Sequence, residues 1–260
     1  MSYDAAQLLD SVDRLALAAG AAILPFYNDG GPSADVSVKS DGSPVTDADH
    51  AAEAVIEAGL AELTPGLPIV AEEAMAAGRA PPIGTGPFWL VDPLDGTKEF
   101  IAHRGTFTVN IALVDEGRPV LGVVYAPALG ERYLGGEGLG AWFDAGEGRE
   151  AIAVRTPPEE GVTVVVSRSH GNPERRADFL RRFRVAAETS IGSSLKFCLL
   201  ANGKADLYPR FGPTCEWDTA AGHAVLTAAG GRVETDGGAP LTYGKPGFGN
   251  PPFIAYGGVW

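Results

Sequence analysis

Apolar positions along the chain follow two periods. Between His50 and Leu63, Ala52, Val55, Ile56, Leu60 and Leu63 recur at helical spacing, which predicts an amphipathic helix with one buried face. An apolar stretch, 15–26, predicts the end of a first helix near Pro25. Short apolar runs predict strands at 67–70, 88–91, 107–114, 119–125, 162–167 and 205–208. The glycine-rich stretch 130–148 is interrupted by Tyr133, Leu134, Trp142 and Phe143, so it reads as hairpin strands and turns, not as a tether. A helix is predicted over the alanine-rich 219–229, which Gly230-Gly231 stops. Helices and strands mixed in this way predict α/β layers.

Composition narrows the class. With 260 residues, 45% of them hydrophobic, the chain can bury a large core as one big domain or two lobes. A net charge of −13 argues against long nucleic-acid partners, which need clustered Lys and Arg. The local exception, Arg175-Arg176 with Arg181-Arg182-Phe183-Arg184, reads as a solvated helix face. Cys198 and Cys215 are too few for a disulfide framework and lack metal-ligand spacing, which points to a reducing compartment. The 15–26 stretch follows Asp4, Asp10 and Asp13, not a basic segment, and is too short for a bilayer, so no signal peptide or stable membrane span is expected.

Candidate chemistry gathers after the 88–91 strand. Trp89-Leu90-Val91-Asp92-Pro93-Leu94-Asp95-Gly96-Thr97-Lys98 brings together two carboxylates, a proline, a glycine and a hydroxyl. Pro93 cannot donate to a ladder, so the chain is expected to leave regular pairing where Asp92 and Asp95 appear, and both acids can then point the same way. Gly96 allows a ligand close to the backbone, and the amides of Gly96 and Thr97 would open a helix whose first N–H groups favour an anion. Hard cations need several converging oxygens. Glu72 and Glu73 at a strand end, and Asp49 and Asp218 at helix starts, are candidates to join them. Each has a plainer reading. Thr46 to Asp49 forms a capping box, Asp218 can be an N-cap, Glu72 and Glu73 can be solvated, and the Asp92 to Asp95 run can be a turn.

Such a loop suits in-line displacement at phosphorus, with metal charge activating water and clamping oxygens. No His or Ser lies within 92–97, which agrees with water as the nucleophile. Four carboxylates in so acidic a chain would repel phosphate unless cations intervened. Lys196 and Arg210 are candidates for a second phosphate, with Ser193 and Lys196 sharing a face if 193–201 is helical. His170, after the 162–167 strand, could meet a nucleoside.

Asp92-Pro93-Leu94-Asp95-Gly96-Thr97, the upstream Ala71-Glu72-Glu73-Ala74 and the downstream Trp217-Asp218-Thr219-Ala220-Ala221-Gly222 resemble, in order and spacing, three signatures of the inositol monophosphatase superfamily. Segments 96–100, 107–113, 122–127, 193–198 and 207–214 are further similar to the bacterial 3'(2'),5'-bisphosphate nucleotidases. The match runs from about Val36 to 250–252. It implies a layered αβαβα sandwich forming a single domain over 1–260, with lobes of about 1–150 and 151–260 and an active site between them.

The resemblance also implies roles. Glu72, Asp92, Asp95 and Asp218, with the Leu94 carbonyl, would hold two or three Mg²⁺ ions when substrate is present, Glu72 counting among the catalytic groups. Asp49 and Thr97 would orient and help deprotonate the attacking water, and the Gly96 and Thr97 amides would hold the scissile phosphate. His170, Ser193, Lys196 and Arg210 would line the nucleotide pocket. Ala71, where the family often has Ser or Gly, is a small replacement that disturbs none of this. The implied reaction is hydrolysis of adenosine 3',5'-bisphosphate to AMP and phosphate, inhibited by lithium, in the cytoplasm. Oligomeric state is left open, a homodimer included. Inositol-1-phosphate or histidinol-phosphate hydrolysis is the alternative, although Lys98 replaces the second Thr common in inositol-type loops. A non-catalytic phosphate or nucleotide sensor is a further alternative, against which the intact set of site residues speaks.

Overall fold

The structure, a computed structural model, describes residues 4–28, 36–38, 44–168 and 171–258. Helix α1 (Ala5–Asn28) is followed by a ribbon of β1 (Val36–Val38) and β2 (Pro44–Thr46), then helix α2 (Asp47–Leu63). A seven-stranded sheet comes next, in spatial order β3 (Ile69–Ala71), β4 (Phe88–Asp95), β5 (Thr108–Asp115), β6 (Arg118–Ala126), β7 (Glu131–Gly136), β8 (Gly140–Asp144) and β9 (Glu150–Ile152). Its first pair is parallel and the others antiparallel. Short helices α3 (Glu72–Ala76) and α4 (Thr97–Ile101) leave β3 and β4.

The remaining chain runs β10 (Val162–Ser167), α5 (Pro173–Leu180), β11 (Val185–Ile191), α6 (Leu195–Ala201), β12 (Leu207–Arg210), α7 (Ala220–Ala228), β13 (Arg232–Thr235) and β14 (Phe253–Tyr256). Its strands form a second sheet in the order β11-β10-β12-β14-β13.

Alternation along the strands sets the layers, because successive side chains leave opposite faces. In the first sheet Leu90, Ala112, Val124 and Tyr133 face one core, and Trp89, Val91, Ile111, Val123 and Leu134 face another. The latter core is closed by Leu9, Val12 and Ala16 of α1 and Ala52, Ile56 and Leu60 of α2. The former is filled by Phe197 of α6 and Val225 of α7, and beyond them by Tyr208 and Phe253 of the second sheet. Val164, Val166, Leu207 and Ile254 turn away to pack with Phe179 of α5. The order of layers is therefore α1 with α2, sheet, α6 with α7, sheet, α5. This is the αβαβα sandwich that the resemblance implied. Helix α7 sits close to the sheet because β6 and β7 carry glycines beneath it. A Cβ on Gly122 would lie 2.5 Å from the Ala221 carbonyl oxygen, and one on Gly135 would lie 2.6 Å from Val225 Cα.

Four local expectations are corrected. Helix α1 does not end near Pro25 but continues to Asn28 with the proline inside its last turns. Tyr27 there packs against Phe100, His103 and Phe107 with ring centroids 5.0 to 5.5 Å away, holding the turn that the missing N–H weakens. Strand β4 leaves regular pairing between Asp92 and Asp95 as expected, but it does not end at Val91. It shifts register across Pro93 and Leu94 and pairs again at Asp95 with Thr108, so the proline is absorbed as an irregularity inside the strand. Ser193 and Lys196 do not share a helix face, because α6 begins at Leu195 and Ser193 has a φ of 52°. Arg210 is the last residue of β12, not a residue beyond a strand ending at Tyr208. No helix among the described residues is long and apolar enough to cross a membrane.

Candidate active site

The bulge in β4 builds the centre of the site. The Leu94 amide, released from the ladder, donates to Asp92 Oδ1 at 3.0 Å and fixes that carboxylate. Gly96 adopts φ 93°, ψ 41° as the residue before α4, a left-handed turn that L side chains resist. The turn brings Thr97 over the start of α2. Its hydroxyl stands 3.4 Å from Asp49 Oδ1 and 3.4 Å from the Leu94 carbonyl oxygen. Asp49 keeps its capping duty as well, since its Oδ2 accepts from the Thr46 amide at 2.8 Å and the Thr46 hydroxyl at 2.6 Å. The two readings of Asp49, cap and partner of Thr97, hold together in one side chain.

Three of the sequence-predicted carboxylates meet. Glu72 at the head of α3, Asp92 in β4 and Asp218 just before α7 place oxygens within 4.8 Å of one another. Burial, reinforced by the neighbouring carboxylates, pushes Asp92 and Asp218 well above the usual carboxylate range. Asp95 lies beside this group, half-buried. Burial raises it to about 6, while Lys196 and the Ser194 amide favour its charged form. Asp92 Oδ2, fully buried, has no hydrogen-bond partner among the described residues. An orphaned carboxylate oxygen inside a cluster of like charges is unfavourable as it stands. The donor set, all hard oxygen, fits a divalent cation.

These groups line a cleft of about 730 Å³ that draws on both sheets. The same cleft is lined by two cations. Lys196, 6% exposed, donates to the Ser193 carbonyl and lies 5.4 Å over the Tyr208 ring, and burial lowers its pKa to about 8. Arg210, 7% exposed, donates to the Gly212 and Pro213 carbonyl oxygens at 3.2 and 2.6 Å. Ser193 and Gly96 also face the cleft. His170 lies outside the described residues. The Arg175 to Arg184 cluster is largely exposed as expected, with Arg175 paired to Asp236 and Arg176 to Glu188, but α5 ends at Leu180, so Arg181, Arg182 and Arg184 lie beyond the helix.

Several supporting residues were not singled out from the sequence. Ser194 donates to Asn110 Oδ1 at 2.6 Å and shares a 2.9 Å bond with Thr108, which pins the start of α6 to β5. Glu216 accepts from the Gly244 and Lys245 amides and pairs with Lys245 Nζ at 2.6 Å, bracing the turn before Asp218. Behind that turn, Asn250 donates to Thr219 Oγ1 at 3.0 Å, Tyr243 to the same oxygen at 3.3 Å, and His223 Nδ1 meets Tyr243 Oη at 2.9 Å. For His223 the available signal was its place inside the apolar 219–229 helix, since such groups are buried only with partners; Glu216 lies outside every predicted element and carried none.

Burial lowers the pKa of His223 to about 3, so the folded protein keeps it neutral where an unfolded chain, at about 6.5, takes up a proton. Its stability contribution is present above about 6.5 and is lost as pH falls towards 3. The slope is about 1.4 kcal/mol per pH unit. Denaturant titrations from pH 7 to 4.5 should therefore show wild type losing stability faster than His223→Gln by roughly that slope. Parallel curves would show that the histidine does not titrate differentially.

Comparison with known proteins identifies this architecture. The model of the inositol monophosphatase family matches residues 4–252, and the chain belongs to that family. Among curated relatives, the 3'(2'),5'-bisphosphate nucleotidase CysQ of Escherichia coli K12 is 51% identical over 249 residues, 95% of this chain and 98% of its own. The CysQ of Buchnera aphidicola is 43% identical over 91% of this chain and 88% of its own. Among solved structures, CysQ from Bacteroides thetaiotaomicron has a TM-score of 0.82 at 41% identity, over 98% of both chains. An inositol monophosphatase from Anabaena sp. PCC 7120 has a TM-score of 0.77 at 26% identity, over 98% of this chain and 92% of its own.

Proposed function

We propose that this chain is a divalent-metal-dependent 3'(2'),5'-bisphosphate nucleotidase that removes the 3'-phosphate of adenosine 3',5'-bisphosphate. The observation that carries this reading is one cleft lined both by a hard-oxygen cluster and by two buried cations, Lys196 and Arg210. A monophosphate needs only the first; a substrate with two phosphates uses both. The high identity to CysQ relatives supports the same choice.

Glu72, Asp92, Asp95 and Asp218, with the Leu94 carbonyl, would hold the cation, with magnesium, two or three ions in the substrate complex, as the family precedent. When bound, it supplies positive charge to the phosphoryl oxygens and makes water easier to deprotonate. The chain's own residues do the rest. Asp49 and Thr97 orient the attacking water and accept its proton through the Thr97 hydroxyl. The amides at the start of α4 face the scissile phosphate. Arg210 and Lys196 hold the remote phosphate, the guanidinium offering paired donors. Lithium inhibition follows the same precedent. Cys198 and Cys215 form no disulfide, which suits a reducing cytoplasm.

A substrate panel with and without Mg²⁺ tests this. Adenosine 3',5'-bisphosphate should be preferred over inositol-1-phosphate and histidinol phosphate, with no turnover in chelator. A preference for an inositol phosphate would replace the reading. Arg210→Met should lower kcat/KM on the bisphosphate about 10- to 100-fold, the loss of a charge-assisted contact, and largely spare a small monophosphate. Equal losses on both substrates would remove Arg210 from the second-phosphate role.

A further inference from the structure

Glu53 lies on α2 four residues after Asp49, so both acids project from the same side of the helix. Asp49 reaches Thr97, and Glu53 reaches the other acidic arm of the site. It is 3% exposed, and its Oε2 accepts the Glu73 amide at 2.8 Å, with the Ala74 amide bonding to the same carboxylate. These amides belong to the first turn of α3, whose opening N–H groups have no partners within a five-residue helix. The residue before that helix is Ala71, which has no side chain able to cap it. Glu53 supplies the missing cap from a neighbouring helix. Arg79 stands 3.9 Å from its Oε1, but its side chain is 62% exposed, so the strong contacts of Glu53 are with the backbone of α3.

The residue whose backbone this cap fixes is Glu72, the first of α3 and a member of the carboxylate cluster. We propose that Glu53 is a positioning residue for the metal site, holding the head of α3 so that the Glu72 carboxylate reaches Asp92 and Asp218. The inference rests on the metal reading of the cluster, not on which phosphate ester is the substrate. It also gives α2 a single role: one helix edge aligns both the water-orienting pair and a ligand.

Mn²⁺ binding to the full chain, followed by the paramagnetic resonance signal of the free ion, reads the site without substrate or turnover. Glu53→Met fills the same space with no acceptor, and should weaken Mn²⁺ about 10- to 100-fold, as loss of a ligand's support does elsewhere. The Mg²⁺ concentration for half-maximal activity should rise in step, with kcat at saturating Mg²⁺ within about threefold of wild type. Glu53→Gln keeps one acceptor oxygen and should weaken Mn²⁺ by only about two- to fivefold, a graded rescue. The melting temperature in chelator measures the separate cost of uncapping α3: it should fall by several degrees in Glu53→Met, which leaves two amides without an acceptor at about 1–3 kcal/mol, and by less in Glu53→Gln. Unchanged Mn²⁺ affinity overturns the proposal, whether or not stability falls. If Glu53→Met does not fold, Glu53→Gln decides, and wild-type Mn²⁺ affinity in that variant overturns it. Wild-type protein that binds Mn²⁺ but prefers another phosphate ester sinks the nucleotidase reading and leaves this one standing. Wild-type protein that binds no Mn²⁺ sinks the metal site itself.

Discussion

Asp92→Asn should yield a folded protein that has lost at least about 10³-fold in kcat, because a divalent cation supplies several kcal/mol of charge stabilisation and each 1.36 kcal/mol is a factor of ten. The substitution is nearly isosteric. Asn Oδ1 can still accept from the Leu94 amide that now bonds Asp92 Oδ1, so the bulge in β4 keeps its internal tie. What disappears is one negative charge at a point where burial and three neighbouring acids already disfavour it. Stability in chelator should therefore hold or rise while activity collapses. Opposite signs for the two quantities are the mark of a ligand, since a purely structural acid would lose both. Mg²⁺ should stabilise wild type by about 2.7 kcal/mol at a hundred times its Kd, and this increment should shrink or vanish in the variant. Thermal melts with and without Mg²⁺, alongside phosphate release, read all three. Near-normal turnover, or an undiminished Mg²⁺ shift, would count heavily against the assignment of Asp92.

The parts of this site legible in the sequence were those written locally. Asp92, Pro93, Asp95 and Gly96 sit within five residues, and the turn they make follows from the proline's missing donor and the glycine's backbone freedom. The layers were legible too, because strand alternation and helical spacing encode which side is buried: Ala52, Ile56 and Leu60 are in the core as their spacing required. Val55 and Leu63 on the same predicted face are only half-buried, and the positions beside it are taken by Asp49 and Glu53. An acid at i and i+4 next to an apolar stripe looks the same as a solvated helix edge until its acceptor role in another element is seen. The meeting of Glu72, Asp92 and Asp218 spans nearly 150 residues and depends on three different elements, so no local pattern could carry it. Ser193 misled for a different reason. Its left-handed backbone ends the approach to α6 two residues before the helix begins, and Lys196 folds back onto its carbonyl where a shared helical face had been expected.

Thr97→Val separates the step that moves a proton from the groups that hold a cation. Valine keeps the shape and the β-branch, so the turn over α2 and the amides at the start of α4 survive, and only the hydroxyl is lost. That hydroxyl has one proton and two acceptors at 3.4 Å, Asp49 Oδ1 and the Leu94 carbonyl oxygen. Neither bond is short, and the Thr97 oxygen keeps lone pairs for a water in the cleft while its proton can pass towards Asp49. General-base assistance of this kind contributes about 10²- to 10⁴-fold, so kcat should fall by that factor. Mn²⁺ affinity and the Mg²⁺ requirement should stay near wild type, because no carboxylate has moved. Thr97→Ser, which restores the oxygen, should recover most of the rate. This split is the reverse of the one expected for Glu53→Met, where metal affinity falls and kcat at saturation survives. A Thr97→Val protein whose rate returns when more Mg²⁺ is added would place Thr97 with the metal-holding groups and leave Asp49 with nothing but its cap.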